Sequence, residues 1–336
     1  MKPGGGQVAL VAGGAGFIGS HLCDRLIAAG AGVLCVDNFI TGRRANVEHL
    51  TSHPRFRLVE HDVIDPLPAS VTGTRPTHIY NLACAASPPH YQEDPEHTML
   101  SNVMGTRNLL RLAEQSGARL LLASTSEVYG EPEVHPQPED YRGSVSCTGP
   151  RACYDEGKRA AEALTFDFIR AGRCEARVAR IFNTYGPRMQ ADDGRVVSNV
   201  VCQAIEGSDI TMYGDGSQTR SFCYVDDTVD GLMRLMASDA AVPVNIGNPE
   251  ELSVRDLIDR VAALTGSRSR IVALPLPVDD PRRRKPDISR AIELLSWAPT
   301  VDLAHGLQAT IEWFSDERHR IGQSAQYAEP MVAAAE

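Results

Sequence analysis

No run of about 18 or more uncharged apolar residues occurs in the 336-residue chain, so nothing in it reads as a membrane-spanning helix. The start, Met1 to Gln7, has no basic region leading into an apolar stretch, and the expected compartment is the cytoplasm. Cations are in deficit: 33 Lys and Arg against 43 Asp and Glu leave a formal net charge of -10. That balance excludes a sequence-independent grip on nucleic acid, which needs clustered cations facing phosphates. An anionic ligand must instead meet a local basic patch. The eight cysteines (Cys23, Cys35, Cys84, Cys147, Cys153, Cys174, Cys202 and Cys223) include no close CxxC pair and no histidines at zinc spacing. Buried reduced thiols are therefore expected, and no metal. Internal repeats and low-complexity blocks are also missing.

What is present is an ordinary globular composition, 43% hydrophobic and 23% charged, in a chain long enough to bury a large core. Its first half alternates short apolar runs with longer helical patterns, the signature of a parallel sheet covered on both faces. Strands are expected at Val8 to Ala12, Gly32 to Asp37, Arg55 to Glu60, Thr77 to Leu82, Arg119 to Ser124 and Glu175 to Ile181. Ser20 to Ala29 and Ser101 to Gln115 place aliphatic residues at three- and four-residue intervals, as helices with one buried face require. The expected fold is α/β, a doubly wound parallel sheet over residues 1–185. After Tyr185 the alternation weakens and Gly, Pro and Asp multiply, which marks a smaller C-terminal lobe over 186–320, with some segments returning to the first domain. In that lobe Thr211 to Tyr213 and Pro243 to Ile246 read as strands, and Val254 to Leu264 and Leu303 to Phe314 as helices. Residues 321–336 are expected to be a flexible tail.

Val8 to Ala12 run directly into Gly13-Gly-Ala-Gly16-Phe17-Ile18-Gly19, and a helical pattern opens at Ser20. Strand, glycine turn and helix in that order suit a dinucleotide, because glycine lets the backbone approach a pyrophosphate that sits at the positive end of the helix. A glycine triplet alone is weak, and an ordinary tight loop would look the same. The second apolar run, however, ends in Asp37, placed to accept hydrogen bonds from an adenosine ribose and to repel a 2′-phosphate. NAD is therefore expected rather than NADP, with Arg43 and Arg44 read as a solvated pair. Asp62-Val63, after the third strand, suits the adenine amino group, although a plain turn residue fits Asp62 equally well.

Tyr154 and Lys158 lie one helical turn apart in Ala152 to Phe168, so both emerge on one face. An ammonium beside a phenol eases phenolate formation, which lets the tyrosine act as general base on a substrate hydroxyl. This spacing is a common accident, but here it comes after a nucleotide turn and a strand ending in Ser124-Thr125-Ser126.

Taken together, Gly13 to Leu22, Asp37-Asn38-Phe39, Ser124 to Gly130, Gly149 to Lys158, Arg180 to Arg188, Asp193 to Val197, Gly216 to Arg220 and Arg284 to Asp287 resemble the UDP-glucuronate decarboxylases, also called UDP-xylose synthases. These are extended short-chain dehydrogenase/reductases, and the resemblance spans roughly Val8 to Phe314. It implies an NAD-dependent carboxy-lyase with Thr125, Ser126, Glu127, Tyr154, Lys158 and Arg284 as catalytic residues. It further implies cofactor contacts from Phe17, Ile18, Asn38, Phe39, Thr41, Gly42, Val63, Leu82, Ala83, Ala85, Ser101 and Ser124. Nucleotide-sugar contacts are implied at Asn183, Arg195, Tyr213, Arg220 and Arg284, and a homodimer packed near Arg107 and Lys158. Departures lie at Asn81 to Ser87, where the family more often has His and Pro, and at Leu100, where lysine is common.

Related 4,6-dehydratases carry Asp-Glu after the threonine and 4-epimerases small or hydroxyl residues, whereas this chain has Ser126-Glu127. The implied chemistry oxidises the sugar at C4, which makes its C5 carboxylate β to a ketone and labile, then returns the hydride after CO₂ is lost. Arg284 is read as an electrostatic anchor, because arginine is a poor acid; the bland alternative is a solvated basic run, Arg282 to Lys285. A 4-epimerase, a 4,6-dehydratase and a non-catalytic NAD-binding sensor stay open, as do uridine against thymidine and release of a 4-keto pentose.

Overall fold

The computed structural model describes residues 6–276 and 283–327. The six expected runs form β1 (Val8–Ala12), β2 (Gly32–Asp37), β3 (Phe56–Glu60), β4 (His78–Asn81), β5 (Arg119–Thr125) and β6 (Ala176–Ile181). A late strand, β7 (Pro243–Ile246), returns from the C-terminal half and pairs with β6. The resulting sheet runs β7-β6-β5-β4-β1-β2-β3, and every neighbouring pair is parallel. This is the doubly wound sheet the alternation predicts.

Seven longer helices accompany it among the described residues: α1 (Phe17–Ala28), α2 (Thr106–Ser116), α3 (Ala152–Arg170), α4 (Val196–Glu206), α5 (Val225–Ala237), α6 (Val254–Thr265) and α7 (Leu303–Tyr327). Because side chains alternate along a strand, Ala9 and Val11 enter one apolar core and Leu10 and Ala12 the other. The first core takes Leu22 and Leu26 from α1 and Val229 and Leu232 from α5. The second takes Leu109 and Leu110 from α2 and Ala161 and Phe168 from α3. Both strand faces are thus buried, which is why these strands are almost continuously apolar.

The smaller elements gather after β6. Thr219–Ser221 pairs with Glu251–Ser253 on one side and with Arg283–Arg284 on the other, while Ile210–Tyr213 pairs with Ile271–Leu274. Ser253 and Asp256 cap the start of α6 reciprocally, and Gly266 ends it at φ 66°. Two expected boundaries move. The helix expected at Ser101 is entered through Pro95–Leu100 and a π-helical turn, Ser101–Gly105, before α2. Helix α7 runs past Phe314 to Tyr327, so part of the expected tail is helical; residues 328–336 and Arg282 lie outside the described residues. Among the described residues no helix is long and apolar enough to cross a membrane.

The chain leaves β1 for β2 and β3 on one side and resumes at β4 on the other. Loops diverge at that reversal and open a crevice beyond the strands' carboxyl ends, where ligands of such sheets bind. The C-terminal segment is locked to α5 by Trp297, fully buried, whose indole donates to the Asp227 carbonyl at 3.1 Å. The Asp227 carboxylate in turn accepts from the Thr300 hydroxyl and the Val301 N–H, each at 2.9 Å. Trp297→Ala should lower the unfolding free energy by about 3–5 kcal/mol in denaturant titrations; a loss below about 1 kcal/mol would contradict this packing role.

Candidate active site

Beyond the carboxyl ends of β1, β2, β4, β5 and β6 lies one deep cleft, lined at one end by Gly13, Asp37 and Val63 and at the other by Tyr213, Arg220 and Arg284. Its first end is the glycine turn. Gly13 has φ 75°, and a Cβ at Gly19 would come within 2.0 Å of the Gly13 carbonyl oxygen. Only glycine permits that approach, and α1 starts there with its leading N–H groups facing the cleft end. Asp37 organises the turn: its carboxylate accepts the N–H of Ala15 at 2.8 Å and that of Phe39 at 2.9 Å. Burial pushes the Asp37 carboxyl up, against these backbone hydrogen bonds. A cradle without side chains, closed by a carboxylate, fits a dinucleotide pyrophosphate and its ribose.

Gly16, Phe17, Ile18, Gly19, Asn38, Thr41, Gly42, Val63, Leu82, Ala83, Ala85, Ser101 and Ser124 all line the cleft, whereas Phe39 and Asp62 are not among its lining residues. Phe39 has φ 62°, and the Arg44 guanidinium lies 4.2 Å from its ring centre. Asp62 accepts from Asn38 at 2.8 Å and contacts His97 Nε2 at 2.7 Å. Burial raises its carboxyl, but the hydrogen bonds from His97, Ile64 and Asn38 outweigh that and hold it below the ordinary value. Arg43 and Arg44 are engaged by Glu317 and Glu60.

The reactive helix is α3. Tyr154, Lys158 and Glu162 recur on one face and meet the end of β5. The Lys158 ammonium, 5% exposed, donates to the Ala123 carbonyl at 2.9 Å. Burial lowers its pKa, opposed by Cys84 and Glu162. Glu162 accepts from the Ser124 hydroxyl at 2.5 Å and from Arg180 of β6 at 3.0 and 2.8 Å. Tyr154 stacks face to face on Tyr91 with ring centres 5.0 Å apart. Burial pushes its phenol well above the ordinary value, and a hydrogen bond with Thr125 works against that.

Where β5 ends, Thr125 turns the chain into a short helix and its hydroxyl accepts the Glu127 N–H at 3.2 Å. Arg284, 1% exposed, donates to the Ser126 carbonyl at 2.6 Å and to Glu127 Oε2 at 3.0 Å. Arg151 grips the same carboxylate oxygen. Burial raises the Glu127 carboxyl, but Arg284, Arg151 and Arg220 together hold it below its ordinary value. It is a fixed anion. Arg284 and Arg220 sit opposite one another in paired strands, so the run expected to be either solvated or functional buries one guanidinium against Glu127.

Thr125, Ser126, Asn183, Arg195, Tyr213 and Arg220 also line the cleft. Arg195 pairs with Asp193 and lies 5.7 Å from the Phe17 ring centre. Tyr213 is 38% exposed, at the rim.

Sequence reasoning misses several partners. Arg151 sits three residues before Tyr154, a spacing that could have signalled it. Tyr91 comes from a Pro-Pro-His-Tyr segment that carries no pattern of its own. Arg188, at φ 69°, binds Asp24 at 2.7 Å and keeps a buried Nη1 without a hydrogen-bond partner, while Gln190 donates to the Thr41 carbonyl at 2.6 Å. This return of the chain over α1 and the loop after β2 has no local signal. Among the described residues no cluster of His, Cys, Asp or Glu is arranged to hold a metal.

The chain matches the family described as NAD dependent epimerase/dehydratase over residues 9–247. It is 52% identical over 324 residues to UDP-glucuronic acid decarboxylase 1 of Danio rerio, covering 96% of this chain and 76% of that one. With UDP-glucuronic acid decarboxylase 1 of Arabidopsis thaliana it shares 53% over 312 residues, 93% of this chain and 70% of that one. A similar solved structure is the UDP-glucuronic acid 4-epimerase of Bacillus cereus in complex with UDP-glucuronic acid and NAD, at TM-score 0.84 and 27% identity, covering 93% of this chain and 100% of that one. The UDP-glucose 4-epimerase of Thermotoga maritima superposes at TM-score 0.85 with 29% identity, over 93% and 100% of the two chains. A glycine-turn cleft, a buried tyrosine–lysine face and an arginine-clamped glutamate, together with these likenesses, place the chain in the NAD dependent epimerase/dehydratase family, among the UDP-glucuronic acid decarboxylases.

Proposed function

We propose that the protein decarboxylates UDP-glucuronate to UDP-xylose with NAD. The observation that carries this reading is the Glu127 carboxylate clamped by Arg284 and Arg151 at the end of the strand bearing Thr125, beside Tyr154. A dehydratase acid is not found there. Bound along the glycine turn, NAD supplies the acceptor for the C4 hydride and then its donor.

The residues of the chain do the rest. Tyr154 removes the proton of the sugar 4-hydroxyl while the Thr125 hydroxyl holds the oxygen. Lys158, fixed by the Ala123 carbonyl, supplies the positive charge that the developing phenolate needs. Arg284 and Arg220 face the acid end of the sugar, and Ser126 and Glu127 hold the ring in place. As CO₂ leaves C5, negative charge moves onto the 4-keto oxygen, where Thr125 and Tyr154 already donate. Arg195, Asn183 and Tyr213 are assigned to the nucleotide diphosphate and sugar.

We divide the chain accordingly: residues 1–185 hold the cofactor and 186–320 mostly the nucleotide sugar, with β7 and α5 contributed back to the sheet side. We also place the protein in the cytoplasm, which the eight unpaired thiols support. A homodimer packed near Arg107 rests on the family resemblance. An epimerase would use the same oxidation, but it would leave the carboxylate on the sugar.

Incubation with UDP-glucuronate should release CO₂ and yield a nucleotide pentose by mass spectrometry; an unchanged mass would favour epimerisation. Tyr154→Phe should reduce kcat by about 10²–10⁴-fold, and Glu127→Gln should cut kcat by a factor on the order of 10² with a smaller change in KM. Near-normal rates in either variant would contradict these roles. Asp37→Ala should weaken NAD binding by about 10–100-fold in calorimetry, because a charged hydrogen-bond acceptor and the anchor of the turn are lost together; unchanged affinity would remove Asp37 from the cofactor site.

A further inference from the structure

Asp155 comes directly after the reactive tyrosine and has no part in the chemistry assigned to it. It is 7% exposed, its Oδ1 is buried without a hydrogen-bond partner, and its Oδ2 stands 3.7 Å from Arg151 Nε, too far for a hydrogen bond. The charged and titratable groups around it are Arg151 at the N-cap of α3, Cys153, Tyr154 and Glu156 of α3, Glu127 of the turn after β5, Tyr91 of the helix Pro88–Glu93, and Arg284. A buried carboxylate oxygen with no donor is costly as an ion and far less so as a neutral acid. Burial and the Glu127 charge push the Asp155 carboxyl up to about 7, against the opposing pull of Arg151 and Arg284. Glu127, held down by three guanidinium groups, keeps its charge. Of the two carboxyls, Asp155 is the one ready to accept a proton.

Glu127, held by Arg284, Arg151 and Arg220, is the nearest anion to Asp155. A sugar carboxylate brought against Arg284 adds a further anion to this cluster and weakens the pull of that guanidinium on Asp155, so its neutral form is favoured while the carboxylate is bound. We propose that Asp155 is the proton-holding residue of the decarboxylation, taking up one proton as the sugar carboxylate enters and giving it up once that carboxylate has left as CO₂. The inference rests on the decarboxylase reading. The reaction it serves consumes one proton: the C5–carboxylate bond breaks, its electron pair stays on the sugar as an enolate of the 4-ketone, CO₂ leaves uncharged, and C5 takes up H⁺. Asp155 does not line the cleft. Arg151 stands between it and Glu127, which does, so Asp155 senses the sugar side through charge and not by direct proton transfer.

The test uses the NAD-loaded enzyme. CO₂ release from UDP-glucuronate by the unaltered protein is measured first, and failure there would overturn the proposed function itself. Proton uptake is then measured by titration calorimetry in buffers of different ionisation heat, with Tyr154→Phe to prevent turnover. At about pH 7.5, UDP-glucuronate should bring in more than about half a proton per site and UDP-xylose, which lacks the carboxylate, none. Affinity for UDP-glucuronate should fall about tenfold per pH unit above neutrality, while that for UDP-xylose stays level. Adding Asp155→Asn, which keeps the shape, should abolish both the uptake and the slope; in otherwise unaltered enzyme it should flatten the alkaline limb of kcat/KM, and Asp155→Glu should restore it. Equal uptake with both ligands, no uptake with either, or uptake that survives Asp155→Asn would overturn the assignment. Should the asparagine variant not fold, Asp155→Glu in the Tyr154→Phe enzyme takes its place: the pH midpoint of the uptake should move with the change of carboxyl, and an unchanged midpoint would overturn the assignment.

Discussion

The attachment of α3 to the carboxyl end of β5 is the constraint on which the site depends. Lys158 donates to the Ala123 carbonyl, and one turn on Glu162 ties the Ser124 hydroxyl and Arg180 of β6 into the same buried network. Each bond satisfies a buried polar group, and removal of one partner would strand the others. The helix therefore has one position along the strand. Tyr154 inherits that position, and its stack on Tyr91 fixes the ring plane. A phenol on a looser helix would have the same neighbours in sequence but no defined distance to a bound sugar.

Beside this buried, hydrogen-bonded anchor stands a second charged wall. Arg284 is buried almost completely, which is tolerable only because Ser126 and Glu127 satisfy it. The guanidinium groups of Arg284 and Arg220 arrive on the paired strands Arg283–Arg284 and Thr219–Ser221, whereas Glu127 comes from the short helix after β5. These segments, distant in sequence, thus meet through opposite charges at the place proposed for the anionic sugar. An acidic protein can hold an acidic ligand this way, since the cations that matter are concentrated in one dry cleft rather than spread over its surface.

Local signals make much of this legible. Strands buried on both faces announce themselves as apolar runs, the glycine turn as a break in them, and the Tyr154 and Lys158 pair by its helical spacing. Readings that fail or fall short depend on contacts distant in sequence. Asp37 reads as a ribose ligand, but nothing in its neighbourhood reveals that it also gathers the Ala15 and Phe39 amides. Phe39 belongs to the same motif, but the Arg44 guanidinium over its ring is a contact the motif does not announce. Arg188 and Gln190 reach α1 and the loop after β2 from far along the chain. The π-turn at Ser101–Gly105 has no composition of its own, and the continuation of α7 to Tyr327 crosses a change in composition without stopping.

That wide turn sets a register. An α-helix advances about 100° per residue, so one extra residue in a turn re-aims everything on its N-terminal side relative to the helix on its C-terminal side. Here it lets Ser101 face the cleft and Asn102 reach Cys84 Sγ at 3.2 Å while Leu109 and Leu110 still point into the core. The cleft wall and the core are thereby phased separately along one continuous rod. Shortening the rod by a residue at this point would leave the packing of its second half untouched and rotate its first half out of alignment with the tyrosine helix.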